Sequence, residues 1–177
     1  MRKSHYFIIF LCIILWPAVP ARSSISLQPF GLHGDGTITL FNTHTQEFGT
    51  IKYKNGSNYL TDGLVSLNHI LRCRMTDAEI GMSLKLVELI DEIEDHFGTR
   101  VEIISGYRSP ALNSTLRNSG HRVAQNSLHM EGMAVDIRMP GVPLREIRDY
   151  AGRLKAGGVG YYPGQFVHVD VGEVRYW

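Results

Sequence analysis

The segment Ser127-Leu128-His129-Met130-Glu131-Gly132-Met133-Ala134-Val135-Asp136, with Phe166-Val167-His168-Val169-Asp170 further along the chain, decides how the sequence is interpreted. Catalytic zinc sites typically have three protein ligands, drawn from His, Asp, Glu or Cys, and one position left for water. Two histidines and one carboxylate from these separated segments are therefore predicted to meet at a single metal ion. The candidate ligands are His129, Asp136 and His168.

Both segments have the alternation of β-strands. In Phe166–Val171 the valines occupy every second position, so they are predicted to face the core, while His168 and Asp170 share the opposite face. Residues 133–139 alternate in the same way before a Pro-Gly pair ends the strand. The candidate ligands are therefore predicted to lie on strands of a sheet.

The motif Ser127-x-His129-x-x-Gly132-x-Ala134-x-Asp136, followed by His168-x-Asp170, resembles that of the zinc D-Ala-D-Ala metallopeptidases of peptidoglycan metabolism. Upstream, Ser105-Gly106-Tyr107-Arg108-Ser109 is similar to a further segment of that family. The stretch Gly157-Gly158-Val159-Gly160-Tyr161-Tyr162-Pro163 resembles one branch, the periplasmic murein endopeptidases that cut cross-links between stem peptides. The resemblance extends roughly over residues 101–177 and is weaker back to Ile38.

The resemblance implies one Zn²⁺ per chain, held by the three candidate ligands, and a metal-activated water that attacks the scissile carbonyl. Arg108 is expected to be catalytic and substrate-binding, because a guanidinium can hold a substrate carboxylate or stabilise a developing oxyanion. Ser127 and Tyr107 are expected to bind substrate. Without the resemblance, an ion pair of Arg108 with a carboxylate at the edge of the core is an open alternative.

The sequence offers more than one candidate for the general base. In the family it is often a Glu three residues before the last ligand or a His two residues before it, but Gln165 and Phe166 stand at those positions. We expect Asp170 to be the base, since it shares a face with His168. The alternative is that Asp170 orients a ligand, and Glu131 is a weaker candidate base.

The N-terminal residues have the pattern of a secretory signal peptide. Arg2 and Lys3 precede an apolar run from Tyr6 to Trp16, and small residues follow up to Ala21. The run is shorter than the roughly 20 apolar residues that a transmembrane helix needs. We expect cleavage after Ala21, a periplasmic location and no stable membrane insertion of the mature chain. An uncleaved N-terminal anchor is the alternative.

The rest of the chain is long enough for one domain. We expect residues 1–21 to be the signal and 22–177 to be a metallopeptidase domain, with a β-rich N-terminal extension over 22–60 and a catalytic core over 61–177. The predicted fold class is α+β, with a central antiparallel sheet that carries the metal site and helices packed on it. Strands are predicted over 38–42, 47–53 and 101–105, and helices over 64–72, 77–97, 111–118 and 144–154.

Several polar residues receive structural interpretations. The acidic side chains of the 77–97 helix are predicted to form a solvated face. His33 and His44 are interpreted as surface residues and His69 as structural, while a surface role is favoured over substrate contact for His121. Cys73 is the only cysteine after the signal, so no internal disulfide can form, and we expect it to be buried and unreactive.

The formal net charge of +1 implies no nucleic-acid partner. The expected partners are peptidoglycan stem peptides, and the expected function is a zinc-dependent murein endopeptidase. One alternative is a D,D-carboxypeptidase, which would need a cleft blocked at one end. A second alternative is a non-catalytic peptidoglycan-binding module with a closed, structural zinc site.

Overall fold

A computed structural model describes residues 24–26, 31–120 and 123–177. The predicted signal segment over residues 1–21 and His121 lie outside the described residues. No helix in the part of the chain that the structure describes combines the length and apolar composition that crossing a bilayer requires.

Most strands belong to one sheet. The strands in chain order are β1 (Ser24–Ser26), β2 (Thr37–Asn42), β3 (Glu47–Lys52), β4 (Lys54–Asn55), β5 (Asn58–Leu60), β6 (Val101–Ser105), β7 (Ala134–Arg138), β8 (Gly158–Tyr162), β9 (Phe166–Asp170) and β10 (Arg175–Tyr176). Seven of them form a sheet in the order β10-β8-β9-β7-β6-β2-β3, and β1, β5 and β4 form a small second sheet.

The main sheet is antiparallel at its centre and mixed at its margins. Strands β6, β7, β9 and β8 pair antiparallel with one another, whereas β2 runs parallel to β6 and β10 runs parallel to β8. The α+β class and the antiparallel centre are therefore confirmed. Strands β2 and β3, from the predicted N-terminal extension, continue this same sheet.

The described helices agree with the prediction in number, but boundaries differ. They are α1 (Thr61–Ile70), α2 (Leu84–Phe97), α3 (Pro110–Asn118) and α4 (Leu144–Leu154), with a 3₁₀ turn over Leu128–Glu131. Helix α1 lies a few residues before the predicted 64–72, and α2 begins later than predicted. The predicted helix start at Asp77 is wrong. Asp77 has a φ of 52°, in the left-handed region that a right-handed helix cannot use, and α2 begins after Ser83. Gly98, with a φ of 62°, ends α2 as predicted.

The hydrophobic core lies between the sheet and its helices, and it fixes which face of each strand carries polar groups. Val167, Val169 and Val171 are buried as predicted, and α2 contributes fully buried side chains such as Leu86 and Ile90. Cys73 is also buried, as expected. Because strand side chains alternate, the buried valines turn His168 to the other face of β9.

The predicted solvated acidic face of α2 is wrong. Glu88 is only 1% exposed and Asp91 is 0% exposed. The acidic side chains of α2 accept hydrogen bonds from backbone N–H groups of residues 33–39 and from tyrosine hydroxyls. The physical reason is that this segment crosses α2 and presents donors that need acceptors.

Asp91 is fully buried, and only one of its two carboxylate oxygens has hydrogen-bond partners among the described residues. Its Oδ2 accepts from Tyr53 Oη at 2.7 Å and from Gly36 N at 2.9 Å, while no hydrogen-bond partner of its Oδ1 is found among the described residues. Burial raises the pKa of Asp91 to about 6 against the two hydrogen bonds, and the charges of Asp95 and Asp35 add to the increase. Between pH 3.8 and about 6, the folded protein therefore tends to hold a proton on Asp91 that the unfolded chain releases.

Asp91→Asn is expected to flatten the pH dependence of stability. The folded state binds the extra proton between the ordinary pKa of 3.8 and the raised pKa of about 6. The free energy of unfolding of the wild type should therefore fall, on the order of 2 kcal/mol, as pH rises through this window. Denaturant titrations at a series of pH values would measure this, with exposed Asp149→Asn as the control. Parallel curves for wild type and Asp91→Asn would refute the assignment.

Candidate metal centre

The three predicted ligands come together on the polar face of the sheet. His129, Asp136 and His168 offer ligand atoms that all lie within 4.8 Å of one another. His129 Nε2 is 3.2 Å from His168 Nδ1 and 3.3 Å from Asp136 Oδ1, and His168 Nδ1 is 2.9 Å from the same oxygen. Two ring nitrogens and one carboxylate oxygen therefore face a common point.

Two local features of the fold produce this convergence. The antiparallel register of β7 and β9 sets Asp136 directly opposite His168. His129 does not lie on a strand as predicted: the 3₁₀ turn brings it to the same place, and Gly132 then redirects the chain into β7 with a φ of 67°. A Cβ at Gly132 would lie 2.9 Å from the carbonyl oxygen of Gly81, so both the turn and the close approach require glycine.

Each histidine is held by a hydrogen bond on its other nitrogen. His129 Nδ1 is 2.8 Å from the carbonyl oxygen of Gly106, so this nitrogen donates and Nε2 keeps its lone pair. His168 Nε2 is 3.1 Å from Asp170 Oδ2, which leaves the lone pair on Nδ1. Both free lone pairs therefore face the same position as Asp136 Oδ1. Such fixed tautomers are typical of metal-ligating histidines.

The protonation states also fit a cation site. Burial lowers the pKa of His129, which favours the neutral imidazole. Burial works against ionisation of Asp136, but His129, His168 and Arg108 outweigh it and hold its pKa well below the ordinary range. For His168, hydrogen bonds to Asp136 and Asp170 overcome the effect of burial and raise the pKa, so a proton and a metal ion would compete for Nδ1.

Asp170 lies on the opposite side of the His168 ring from the candidate metal point. Its Oδ1 accepts from the backbone N–H groups of Gly158 and Gly172, both at 2.9 Å, and its Oδ2 accepts from Arg175 at 2.7 Å as well as from His168. Burial would raise its pKa, but these donors lower it to about 2. Of the two predicted roles for Asp170, this geometry favours orienting His168 over accepting a proton.

Arg108 is buried beside the ligands. Its guanidinium donates from Nη2 to Asp136 Oδ2 and from Nε to Ser105 Oγ at 2.9 Å. The ion pair considered as an alternative is therefore present, and its carboxylate is a candidate ligand. Arg108 also lines the cleft above the three ligands, so its predicted contact with substrate stays a prediction.

The cleft has a volume of about 710 Å³ and includes the three ligands, Arg108 and Ser127 in its lining. Two other predicted residues are elsewhere, since Tyr107 packs against the hydrophobic core and Glu131 is exposed outside the cleft. Asp136 is the one carboxylate among the described lining residues. The carboxylate of Glu131 therefore does not line the cleft beside the three candidate ligands, where a general base would act.

Tyr162, Phe166 and Trp177 form an aromatic surface along one side of the cleft. The Trp177 ring centroid is 5.3 Å from that of His168, and its Nε1 donates to Tyr162 Oη at 3.2 Å. A Cβ at Gly160 would lie 2.6 Å from the Trp177 ring, so glycine makes room for the indole. The sequence analysis did not identify Trp177 or Arg175 as residues of the site. In the sequence, a glycine within a strand, such as Gly160, indicates that another group packs closely against the backbone there.

Comparisons with known proteins give a consistent result. Residues 33–177 match the M15 peptidase family model described as peptidoglycan L,D-endopeptidase MepK. The chain is 38% identical over 143 residues to the peptidoglycan L,D-endopeptidase MepK of Escherichia coli strain K12, covering 79% of each chain. It is 35% identical over 144 residues to the probable peptidoglycan L,D-endopeptidase MepK of Haemophilus influenzae, covering 79% of this chain and 77% of the relative.

Asp170→Asn is expected to weaken zinc binding about 10- to 100-fold, because the amide cannot accept from both His168 and Arg175 while keeping its backbone contacts. Competition titration with a chromogenic zinc chelator would measure the affinity. Glu131→Gln is the control and should bind zinc like the wild type. If Asp170→Asn kept full zinc affinity, its role in orienting His168 would be wrong.

Proposed function

The chain belongs to the M15 peptidase family of peptidoglycan L,D-endopeptidase MepK, and from this membership we propose that it is a zinc-dependent murein endopeptidase. It would hydrolyse peptide cross-links between peptidoglycan stem peptides. The expected resemblance to this family is confirmed. The observation that carries the proposal is the convergence of His129 Nε2, His168 Nδ1 and Asp136 Oδ1 on one point in the cleft.

The relatives' names also bear on the bond that is cut, which the motifs alone left open. They are named L,D-endopeptidases. We extend this specificity to the present chain. The substrate bond would then join the carbonyl of an L-configured residue to the amine of a D-configured centre.

Membership in the M15 family implies a metal, and zinc is the ion that we propose. Two imidazoles, each with one ring nitrogen directed at the same point, and one ionised carboxylate form a largely buried donor set that suits Zn²⁺. When bound, zinc would activate water and polarise the scissile carbonyl. The described residues supply three ligands, which favours a catalytic site over the closed site of a non-catalytic binding module.

The protein residues around the ligands would prepare the site for this chemistry. Asp170 and Gly106 fix the two imidazoles in their ligating tautomers. Arg108 already donates to Asp136, and its remaining N–H groups are placed at the cleft, where a carbonyl oxygen would gain negative charge. Ser127, in the same lining, would contribute a hydrogen bond to the bound peptide.

The run of the cleft across the sheet favours an endopeptidase. Its lining begins at the β6 end with Arg74 and Ser105, passes the ligands on β7 and β9, and continues to Tyr162 at the end of β8. Lining residues therefore lie on both sides of the ligands, so a substrate would contact the protein on both sides of the scissile bond. A carboxypeptidase would need a wall on one side that admits only a chain terminus.

Action on peptidoglycan implies an extracytoplasmic location. We propose that residues 1–21 direct export to the periplasm and that residues 22–177 form the mature metallopeptidase domain. Within it, residues 22–60 would be the N-terminal extension and 61–177 the catalytic core.

His129→Ala is expected to lose both zinc and activity. Purified protein would be incubated with L,D- and D,D-cross-linked muropeptide dimers, with and without chelator, and the products separated by liquid chromatography. The wild type should cleave the L,D dimer, stop when chelated and recover with added zinc. The variant should lose at least about a thousandfold in rate, because the loss of one ligand removes the metal.

His69→Ala is the control, since His69 is exposed and lies outside the cleft lining. It should retain the zinc content and the rate of the wild type. Unchanged hydrolysis by His129→Ala would falsify the metal assignment, and cleavage of only the D,D dimer would contradict the L,D specificity.

A further inference from the structure

We infer that Arg74 is a specificity residue whose guanidinium binds a free carboxylate of the stem peptide in the cleft. The inference rests on the proposed function and adds a substrate feature to it. Arg74 lies outside the segments that carry the family resemblance. Its position, its charge environment and the chemistry of the substrate each support the assignment.

Arg74 is an exposed residue at one end of the cleft. It follows buried Cys73, whose N–H donates to the carbonyl of Ala78 at 2.9 Å, so the backbone behind Arg74 is anchored. The Arg74 side chain lines the cleft together with Ser105 and Arg108.

Arg74 differs from the other two arginines of the cleft because it has no acidic partner. Arg108 pairs with Asp136, and Arg175 pairs with Asp170. Among the described residues, no carboxylate lies within ion-pair distance of Arg74, and the residues outside the described ranges include no Asp or Glu. A full positive charge is therefore available at this end of the cleft.

The contact between Arg74 and His44 does not balance the charge of the Arg74 guanidinium. Its Nη1 is 2.6 Å from His44 Nε2, but that nitrogen is also 2.9 Å from the carbonyl oxygen of Ile104. One ring nitrogen can donate to the carbonyl or accept from the guanidinium, and it cannot do both. Neither arrangement neutralises the Arg74 charge, so a carboxylate is a better partner than His44.

The charge of the cleft matches such a ligand. Its described lining contains three arginines and one carboxylate, Asp136, which is already engaged by Arg108 and the histidines. Cross-linking residues of the diaminopimelate type have a carboxylate on the same carbon as the linked amine. An arginine fork can hold this group with two parallel hydrogen bonds. We therefore assign the Arg74 end of the cleft to that carboxylate.

The test compares two synthetic stem tripeptides, L-Ala–γ-D-Glu–meso-diaminopimelate with its side-chain carboxylate either free or amidated. Isothermal titration calorimetry would measure the Kd of each for the wild type and for Arg74→Gln, Arg74→Lys and Arg145→Gln. Arg145 is an exposed arginine outside the cleft lining, and its variant is the matched control. Because these peptides are not cross-linked, the binding result does not depend on cleavage.

The wild type and Arg145→Gln should bind the free-carboxylate peptide about tenfold more tightly than the amidated one. Arg74→Gln should bind both equally, and Arg74→Lys should keep part of the preference through its charge. The inference would be overturned by a wild type without preference, or by Arg74→Gln with the preference intact. Failure of the wild type to cleave L,D dimers would instead count against the proposed function, whatever the binding result.

Discussion

The pairing register of β7 with β9 is the constraint on which the site depends. Asp136 stands opposite His168, and Val135 and Ile137 stand opposite valines on the core side. Since strand side chains alternate, a slip of one residue would turn His168 into the core and its neighbouring valines into the cleft. The apolar face therefore fixes the positions of the ligands: burial of the valines is what holds the imidazole and the carboxylate together.

The same arrangement has an electrostatic cost, which a chain of alternating charges offsets. Arg175, Asp170, His168, Asp136 and Arg108 follow one another as donor and acceptor across the polar face of the sheet. Buried charges are tolerated when each has a partner, and loss of one member leaves its neighbour buried and unpaired. The site is thus organised before any metal binds, which limits the rearrangement that binding requires.

The sequence predicted the parts of this structure that depend on local patterns. Alternation placed β7 and β9, the motif spacing selected three side chains that do lie together, and Gly98 marked the end of α2. What it missed depends on contacts between distant segments. The acidic residues of α2 have the composition of a solvated face, and only the crossing of residues 33–39 makes them hydrogen-bond acceptors, of which Asp91 is buried. Similarly, Arg175 becomes the partner of Asp170 only through the return of β10 to the sheet.

The sheet order also gives the cleft a direction. Because β6 and β8 lie on opposite sides of the pair that bears Asp136 and His168, the residues at their ends flank the ligands from opposite sides. One flank is cationic, with Arg74, and the other is aromatic, with Trp177 stacked against the sheet at Gly160. A cross-linked peptide with a charged and an apolar part therefore meets two different surfaces, and one orientation places both parts favourably. The order of the strands thus determines both the difference between the two flanks of the cleft and the adjacent positions of Asp136 and His168.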